Sequence, residues 1–296
     1  MASLKVLVLG TQGQLAQSLS CEKTSFPMTF LGRPEIDFEK PELTLQKVER
    51  MDFTHLINAC AYTAVDKAES EKEKSILVNA TTPDLLAKYC ADEGKTFIHF
   101  STDYVFNGLG HKPWKESDPV SPVNFYGATK LQGEEAILSH HGKNFIFRTS
   151  WVYSQFGHNF LKTMLRFGAE RELLRVVADQ EGTPTFAADL AKAIVHILSQ
   201  GLLDQASTSG VYHLTGAGHT TWHQFATWIF SCAKTLHFPL KVQTVEAIPT
   251  ADFPTPAKRP AYSVLDNTKF QQTFHYSMPD WKSSVPTCLQ KYKELL

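Results

Sequence analysis

Apolar runs of strand length recur along the first half of the chain. Lys5–Leu9 (KVLVL) stops at Gly10, and Met28–Leu31, His55–Cys60, Phe97–Ser101 and Asn144–Thr149 repeat the pattern. Runs this short suit a strand or a piece of buried helix, but their length and flanking glycines favour strands. Helix-like stretches separate several of them, at Gln14–Ser20, Glu73–Asp92 and Phe125–Ser139. A strand that is apolar along its whole length has no face to give to water. Its sheet must be covered on both sides, as parallel sheets with crossover helices are. The pattern predicts an α/β fold with a doubly wound parallel sheet.

After about Trp151 the rhythm loosens. Helices are expected at Asn159–Glu170 and Asp189–Ser199, a short strand at Val211–Leu214, and a further helix from near Thr221. There Thr221-x-x-Gln224 has the spacing of a capping box. Ile248–Pro260 carries four prolines and reads as an extended loop, either a packing strap or one wall of a cleft. Ligands of open α/β sheets bind beyond the carboxyl ends of the strands. Residues 1–150 are therefore expected to form a dinucleotide-binding Rossmann domain. Residues 151–296 are expected to form a smaller substrate-binding region, with some segments returning to the sheet.

Composition narrows the partners. Hydrophobic residues make up 43% of the 296, charged residues 20%, and the net charge is −1. This is ordinary globular composition, with no basic patch for nucleic acid or a membrane surface. No apolar stretch is long enough to span a bilayer. Residues 1–10 lack the apolar core and cleavage site of a secretory leader, so the expected location is cytoplasmic. Five dispersed cysteines without Cys-x-x-Cys argue against a disulfide framework or structural zinc, and Cys60 and Cys90 read as small core residues. His219-x-x-x-His223 lacks an adjacent glutamate and a third ligand, so helix-start and surface roles are expected there. Asp66, Glu69, Glu71 and Glu73, interleaved with Lys67, Lys72 and Lys74, read as a solvated helix face.

Gly10-Thr11-Gln12-Gly13-Gln14-Leu15-Ala16 gives G-x-x-G-x-x-A between the first strand and the first helix. Glycines there allow a tight turn and let the backbone approach a pyrophosphate at the helix N-terminus. A residue contacting the adenosine ribose is expected about 20 residues further on. That point reads Leu31-Gly32-Arg33-Pro34, with no acid at the strand tip. Arg33 would receive the 2′-phosphate of NADPH, or it is a solvated loop residue. Arg33 favours NADPH, while Glu35 and Asp37 close by leave NADH open.

Tyr126-Gly127-Ala128-Thr129-Lys130 gives Tyr-x-x-x-Lys at a helix start, where i, i+4 spacing puts both side chains on one face. An ammonium beside the phenol would lower its pKa from about 10 and help it donate a proton to a carbonyl. Chance alone supplies roughly 0.7 such matches in a chain like this one, so the motif needs context. The context is Phe97–Phe106 (FIHFSTDYVF), a strand ending in Ser101 and Thr102, ahead of Tyr126. A hydroxyl at that strand end can bond the substrate oxygen as charge develops on it. Phosphate loop, strand-end hydroxyl and Tyr-Lys helix follow one another in the order a hydride-transfer site requires.

Arranged in this order, the residues resemble the extended short-chain dehydrogenase/reductases. Within them the chain is similar to the dTDP-4-dehydrorhamnose reductase family over nearly its whole length. The matching stretches are GTQGQLA (10–16), NACAYTAVDKAE (58–69), NAT (79–81), STDYVF (101–106), SPVNFYGATKLQGE (121–134), FRTSWVY (147–153), NF (159–160), DQEGTPT (179–185), YHLTG (212–216) and PTPAKRP (254–260). AYTAVDKAE and DQEGTPT are not general reductase motifs.

The resemblance implies reduction of dTDP-4-dehydro-L-rhamnose to dTDP-L-rhamnose for surface polysaccharide. Tyr126 would protonate the C4 oxygen while the nicotinamide delivers hydride to C4. Lys130 would hold the nicotinamide ribose, and Thr102 would bond the same oxygen. Asp103 and Trp151 would border the sugar. Gly10–Gly13 would carry the pyrophosphate, with Asp37 and Phe38 near the adenosine and Ala61, Tyr62 and Thr63 along the cofactor. Charge alone suggests Arg259 for the nucleotide diphosphate. Some relatives dimerise through magnesium held by glutamates, but Ala188 stands at one such position here. No functional metal is expected, and a monomer or a homodimer is. The alternatives are another nucleotide-linked keto sugar as substrate, or a non-catalytic subunit like the one that regulates methionine adenosyltransferase.

Overall fold

The computed structural model describes residues 3–296. Six parallel strands form the main sheet: β1 (Val6–Leu9), β2 (Met28–Leu31), β3 (His55–Asn58), β4 (Thr96–Thr102), β5 (Lys143–Thr149) and β6 (Gly210–His213). Their order across the sheet is β6-β5-β4-β3-β1-β2. Val6 pairs with Met28 on one side and with His55 on the other, so the strand order reverses direction at β1. The doubly wound parallel sheet is as expected.

Burial explains why these runs are strands. Val6, Leu7, Val8 and Leu9 are all buried, as are Leu56 and Ile57 of β3 and Phe97 and Ile98 of β4. One apolar cluster fills the face under β1, β5 and the helix Ala187–Ser199, and another the face under the helix Thr82–Asp92. A third gathers Tyr153, Phe186, Phe225 and Trp281 with the later helices.

Two features differ from the sequence expectation. Glu73–Asp92 is not one regular helix: α-helix at Lys72–Ile76 and Thr82–Asp92 is joined by a π turn at Leu77–Thr81. Such turns insert one extra residue and often mark functional sites. Here Asn79 in that turn bonds the backbone of Tyr62 in both directions, at 2.9 and 3.1 Å, and donates to Thr129 at 3.1 Å. The second feature is a set of three two-stranded sheets among the described residues, Leu173–Val177 with Thr244–Ile248 among them, built from sequence-distant strands.

The expected cap at Thr221 forms half of a capping box. Its hydroxyl accepts from Gln224 N–H at 3.2 Å, while the Gln224 side chain turns to Thr220 instead. His223 bonds the Val245 carbonyl at 3.0 Å. Among the described residues no group of three or more His, Cys, Asp or Glu is placed to hold a metal ion, and no helix is long and apolar enough to cross a membrane.

Candidate active site

A cavity of about 360 Å³ opens at the carboxyl ends of β1, β2 and β3, where the strand order reverses. It is lined by Gly10, Thr11, Gln12 and Gly13 after β1, Arg33 and Phe38 after β2, and Ala61 and Tyr62 after β3. Gly10 has φ +113°, open to glycine without strain, and a Cβ there would press to 3.3 Å from Cys60 Sγ. At Gly32 a Cβ would fall 2.3 Å from Thr11 Oγ1. Gly13 caps the helix Gln14–Ser20 with no side-chain bond, leaving its first N–H groups without a side-chain acceptor. These features suit a dinucleotide pyrophosphate.

Two expected residues stand off this lining. The Asp37 carboxylate accepts from Arg33 and from the Glu39 N–H, both at 3.2 Å. The Thr63 carbonyl accepts from Val65 N–H at 2.9 Å. In their place the cleft gains Glu39, Lys74 and Cys60. Cys60 is half-buried on the cleft wall rather than in the core, whereas Cys90 is fully buried.

Arg33 and Lys74 flank a single carboxylate. Arg33 Nη2 lies 3.0 Å and Lys74 Nζ 3.1 Å from Glu39 Oε1. The Arg33 side chain is 68% exposed, so these pairs are screened and contribute little to stability. Both cations therefore stay available to an anion in the cleft. The acidic cluster is accordingly not the simple solvated face expected. Asp66 pairs with Arg259 at 2.9 Å, Glu69 accepts from the Phe125 N–H at 2.8 Å, and Lys74 reaches the cleft.

The catalytic corner is built at the end of β4. Thr102 caps a short 3-10 turn, Asp103–Val105, by accepting from Tyr104 N–H at 3.2 Å. The helix Phe125–Ser139 packs against that turn because Gly127 lacks a side chain: a Cβ would sit 2.2 Å from the Tyr104 carbonyl oxygen. Gly133 permits the same closeness to Asn79 of the π turn. Asn124 fixes the helix start, accepting from Gly127 N–H at 2.8 Å. The result brings the Tyr126 phenol close enough to Thr102 for its hydroxyl to favour the phenolate. Lys130, four residues on and buried, donates to the Phe100 carbonyl at 2.7 Å.

Burial dominates the electrostatics here. It pushes the Tyr126 phenol up to about 12, against a smaller lowering by Thr102. The expected lowering of the phenol by the lysine is not seen in the free protein: Lys130 does not act on the phenol, and burial with the Asp103 charge raises it. Burial also pushes Lys130 down to about 8 and Asp103 up to about 7. Asp103 accepts from Thr102 at 3.0 Å on one oxygen, while its other oxygen is buried without a partner. Beneath the corner Glu134 and Arg148 form a buried pair, with Nη2 to Oε2 at 2.6 Å.

The later half of the chain closes around this edge. Trp151 has a left-handed φ of +44°, a costly conformation for a tryptophan and one concentrated at functional sites. Its ring stacks on Trp222 at 3.5 Å and presses on Gly182. Gln14, in the glycine loop's own helix, bonds Val152, Ser154 and Asn159 and so ties the loop to the second half. The proline loop acts as a strap: Lys258 carbonyl accepts from Asn124 at 2.8 Å, and Ala257 N–H and Arg259 both donate to Asp66. Arg259 is thus paired with Asp66. Ala188 is buried in its helix.

Sequence reasoning missed Glu39, Lys74, Asn58, His99, Asn79 and Gln14. Only the i, i+4 and glycine signals are local, and these six act through partners distant in sequence.

Comparisons with known proteins identify the family. The family model described as the RmlD substrate binding domain matches residues 4–294. A dTDP-4-dehydrorhamnose reductase of Escherichia coli (strain K12) is 41% identical, covering 97% of this chain and 98% of the relative. That of Burkholderia thailandensis is 42% identical with the same coverage. The solved dTDP-4-dehydrorhamnose reductase of Bacillus anthracis in complex with NADP superimposes with a TM-score of 0.89 at 33% identity, covering 98% of this chain and 99% of that one. The chain belongs to the dTDP-4-dehydrorhamnose reductase family.

Proposed function

We propose that the protein reduces the C4 keto group of dTDP-4-dehydro-L-rhamnose with NADPH, giving dTDP-L-rhamnose. The observation that carries the reading is that Thr102, Tyr126 and Lys130 gather at the end of β4, on the same carboxyl edge of the sheet as the glycine-floored cleft, in a chain of this family.

When bound, the dinucleotide supplies the hydride. The protein's own groups do the rest. Thr102 holds the sugar's C4 oxygen, and Tyr126 gives that oxygen its proton as negative charge develops there. The raised phenol pKa suits a donor that must enter the reaction still carrying its proton. Lys130 orients the nicotinamide ribose. Asp103 and Trp151 border the sugar, with Trp151 held by its stack on Trp222. Gly10–Gly13 receive the pyrophosphate, Arg33 and Lys74 the 2′-phosphate, and Phe38, Ala61, Tyr62 and Thr63 the adenosine side. Asp37 acts there indirectly, by steering Arg33. Arg259 reaches the substrate diphosphate by exchanging Asp66 for it. The reaction takes place in the cytoplasm, where the nucleotide sugar and NADPH are made.

The test is to follow NADPH absorbance with dTDP-4-dehydro-L-rhamnose and a panel of other nucleotide-linked keto sugars. Turnover of the first well above the rest is expected. Its absence, with another keto sugar turned over, would move the assignment to that substrate.

A further inference from the structure

We propose that Asn58 and His99 are positioning residues that favour the neutral amine form of Lys130 in the cofactor-free protein. The inference rests on the reading of Lys130 as the lysine of the hydride-transfer site.

The argument is one of hydrogen-bond polarity. Asn58 Oδ1 accepts from the Cys60 backbone N–H at 3.0 Å. A backbone N–H only donates, so the facing amide atom must be the oxygen. The other arm, Nδ2, then faces His99 Nδ1 at 3.0 Å and can only donate to it. His99 Nδ1 is therefore a bare acceptor, and a neutral imidazole with a bare Nδ1 carries its proton on Nε2. That Nε2 lies 3.0 Å from Lys130 Nζ. An ammonium would set N–H against N–H. A neutral amine instead offers its lone pair to His99 and still donates to the Phe100 carbonyl at 2.7 Å.

Burial leaves no easy escape. Asn58, His99 and Lys130 are each 1% exposed or less. Flipping the Asn58 amide would point the Cys60 N–H at an NH2 group, an unsatisfied buried donor. Charging His99 is opposed first by its burial, which holds its pKa well below the ordinary value whatever the state of Lys130. Tyr126 stands one turn earlier on the same helix, and Glu134, one turn later and paired with Arg148, opposes the shift by favouring the ammonium, though less than burial lowers it. Burial independently pushes Lys130 down to about 8.

Tyr126 enters the cycle as the phenol through its own burial. A lysine that yields its proton readily can pass one on once Tyr126 has given its own to the sugar oxygen, and one proton from water per turnover then restores the pair.

The experiment uses the full chain with ¹⁵N-labelled histidine and ¹³Cε-labelled lysine, assigned by loss of the His99 and Lys130 signals in His99→Gln and Lys130→Met. His99 should show the Nε2–H tautomer, and Lys130 should titrate roughly two or more pH units below the reference of ~10.4. In Asn58→Asp both carboxylate oxygens accept, so His99 must move its proton to Nδ1 and Nε2 becomes an acceptor for an ammonium. The Lys130 midpoint and the alkaline limb of the kcat profile should both rise by about one pH unit or more. An Nδ1–H tautomer in the wild type, or a folded Asn58→Asp protein with an unmoved midpoint, would overturn the proposal. The wild-type tautomer decides alone if that variant does not fold. These spectra need no substrate, so they fail independently of the turnover assay.

Discussion

At the β2 end of the cleft the charged groups stand in solvent, whereas at the β4 end they are buried. Arg33, Glu39 and Lys74 form screened ion pairs that an incoming phosphate can reorganise at small cost. Asp103, Tyr126 and Lys130 have lost their hydration, and each is pushed towards its neutral form. One sheet edge thus carries two devices. On the proposed reading, exposed charge recognises an anion, and buried groups keep protons where a carbonyl reduction needs them. The contrast explains why ion pairing matters little to stability at one end and protonation matters greatly at the other.

The most severe way to break the buried device is Tyr126→Phe, which removes the proton donor and little else. Turnover should fall by roughly 10²–10⁴-fold, while NADPH affinity, measured by titration of the nicotinamide fluorescence, changes by less than about threefold. Equal losses in both would mean that the phenol mainly holds the cofactor.

A second prediction concerns stability at the same end. Burial raises Asp103 to about 7 in the folded protein, while the unfolded chain releases that proton near its reference of ~3.9. Between those values the folded state holds the extra proton, so this group's contribution falls as pH rises through about 4 to 7. At ~1.36 kcal/mol per pH unit the loss is on the order of 2–4 kcal/mol. Urea unfolding across that range should show Asp103→Asn with a flatter pH dependence than wild type. Parallel profiles would place the carboxyl in a wetter setting.

At the exposed end the expected effects are smaller. Arg33→Ala or Lys74→Ala should raise the KM for NADPH roughly tenfold, about the worth of one partly screened charge-assisted contact. The KM for NADH should barely move. If both cofactors weaken alike, the two cations serve the pyrophosphate rather than the 2′-phosphate.

Much of this was legible from the sequence wherever the signal was local. β1, β3, β4 and β5 announced themselves as apolar runs because both sides of each strand are largely buried, while the edge strand β2 shows as a shorter, half-buried run. The glycine turn and Tyr126-x-x-x-Lys130 are short-range patterns tied to backbone conformation and helix pitch. The strand Leu173–Val177 alternates exposed and buried residues and pairs with Thr244–Ile248, so no local pattern reveals its partner. The helix Trp281–Lys293 hides behind an internal proline, Pro286. Glu39 and Lys74 are thirty-five positions apart, and Lys74 looked like one more charge in a mixed run. His99 looked like a strand residue until β3 and β4, lying side by side, put it between Asn58 and Lys130.

The most direct measurement is the fate of hydrogen at the sugar's C4. With NADPH deuterated at the transferable C4 position of its nicotinamide, the dTDP-L-rhamnose formed should carry one deuterium at C4 of the sugar by NMR, and the rate of its appearance should collapse in Tyr126→Phe. Product without deuterium at C4, or deuterium appearing at an undiminished rate in that variant, would contradict the site described.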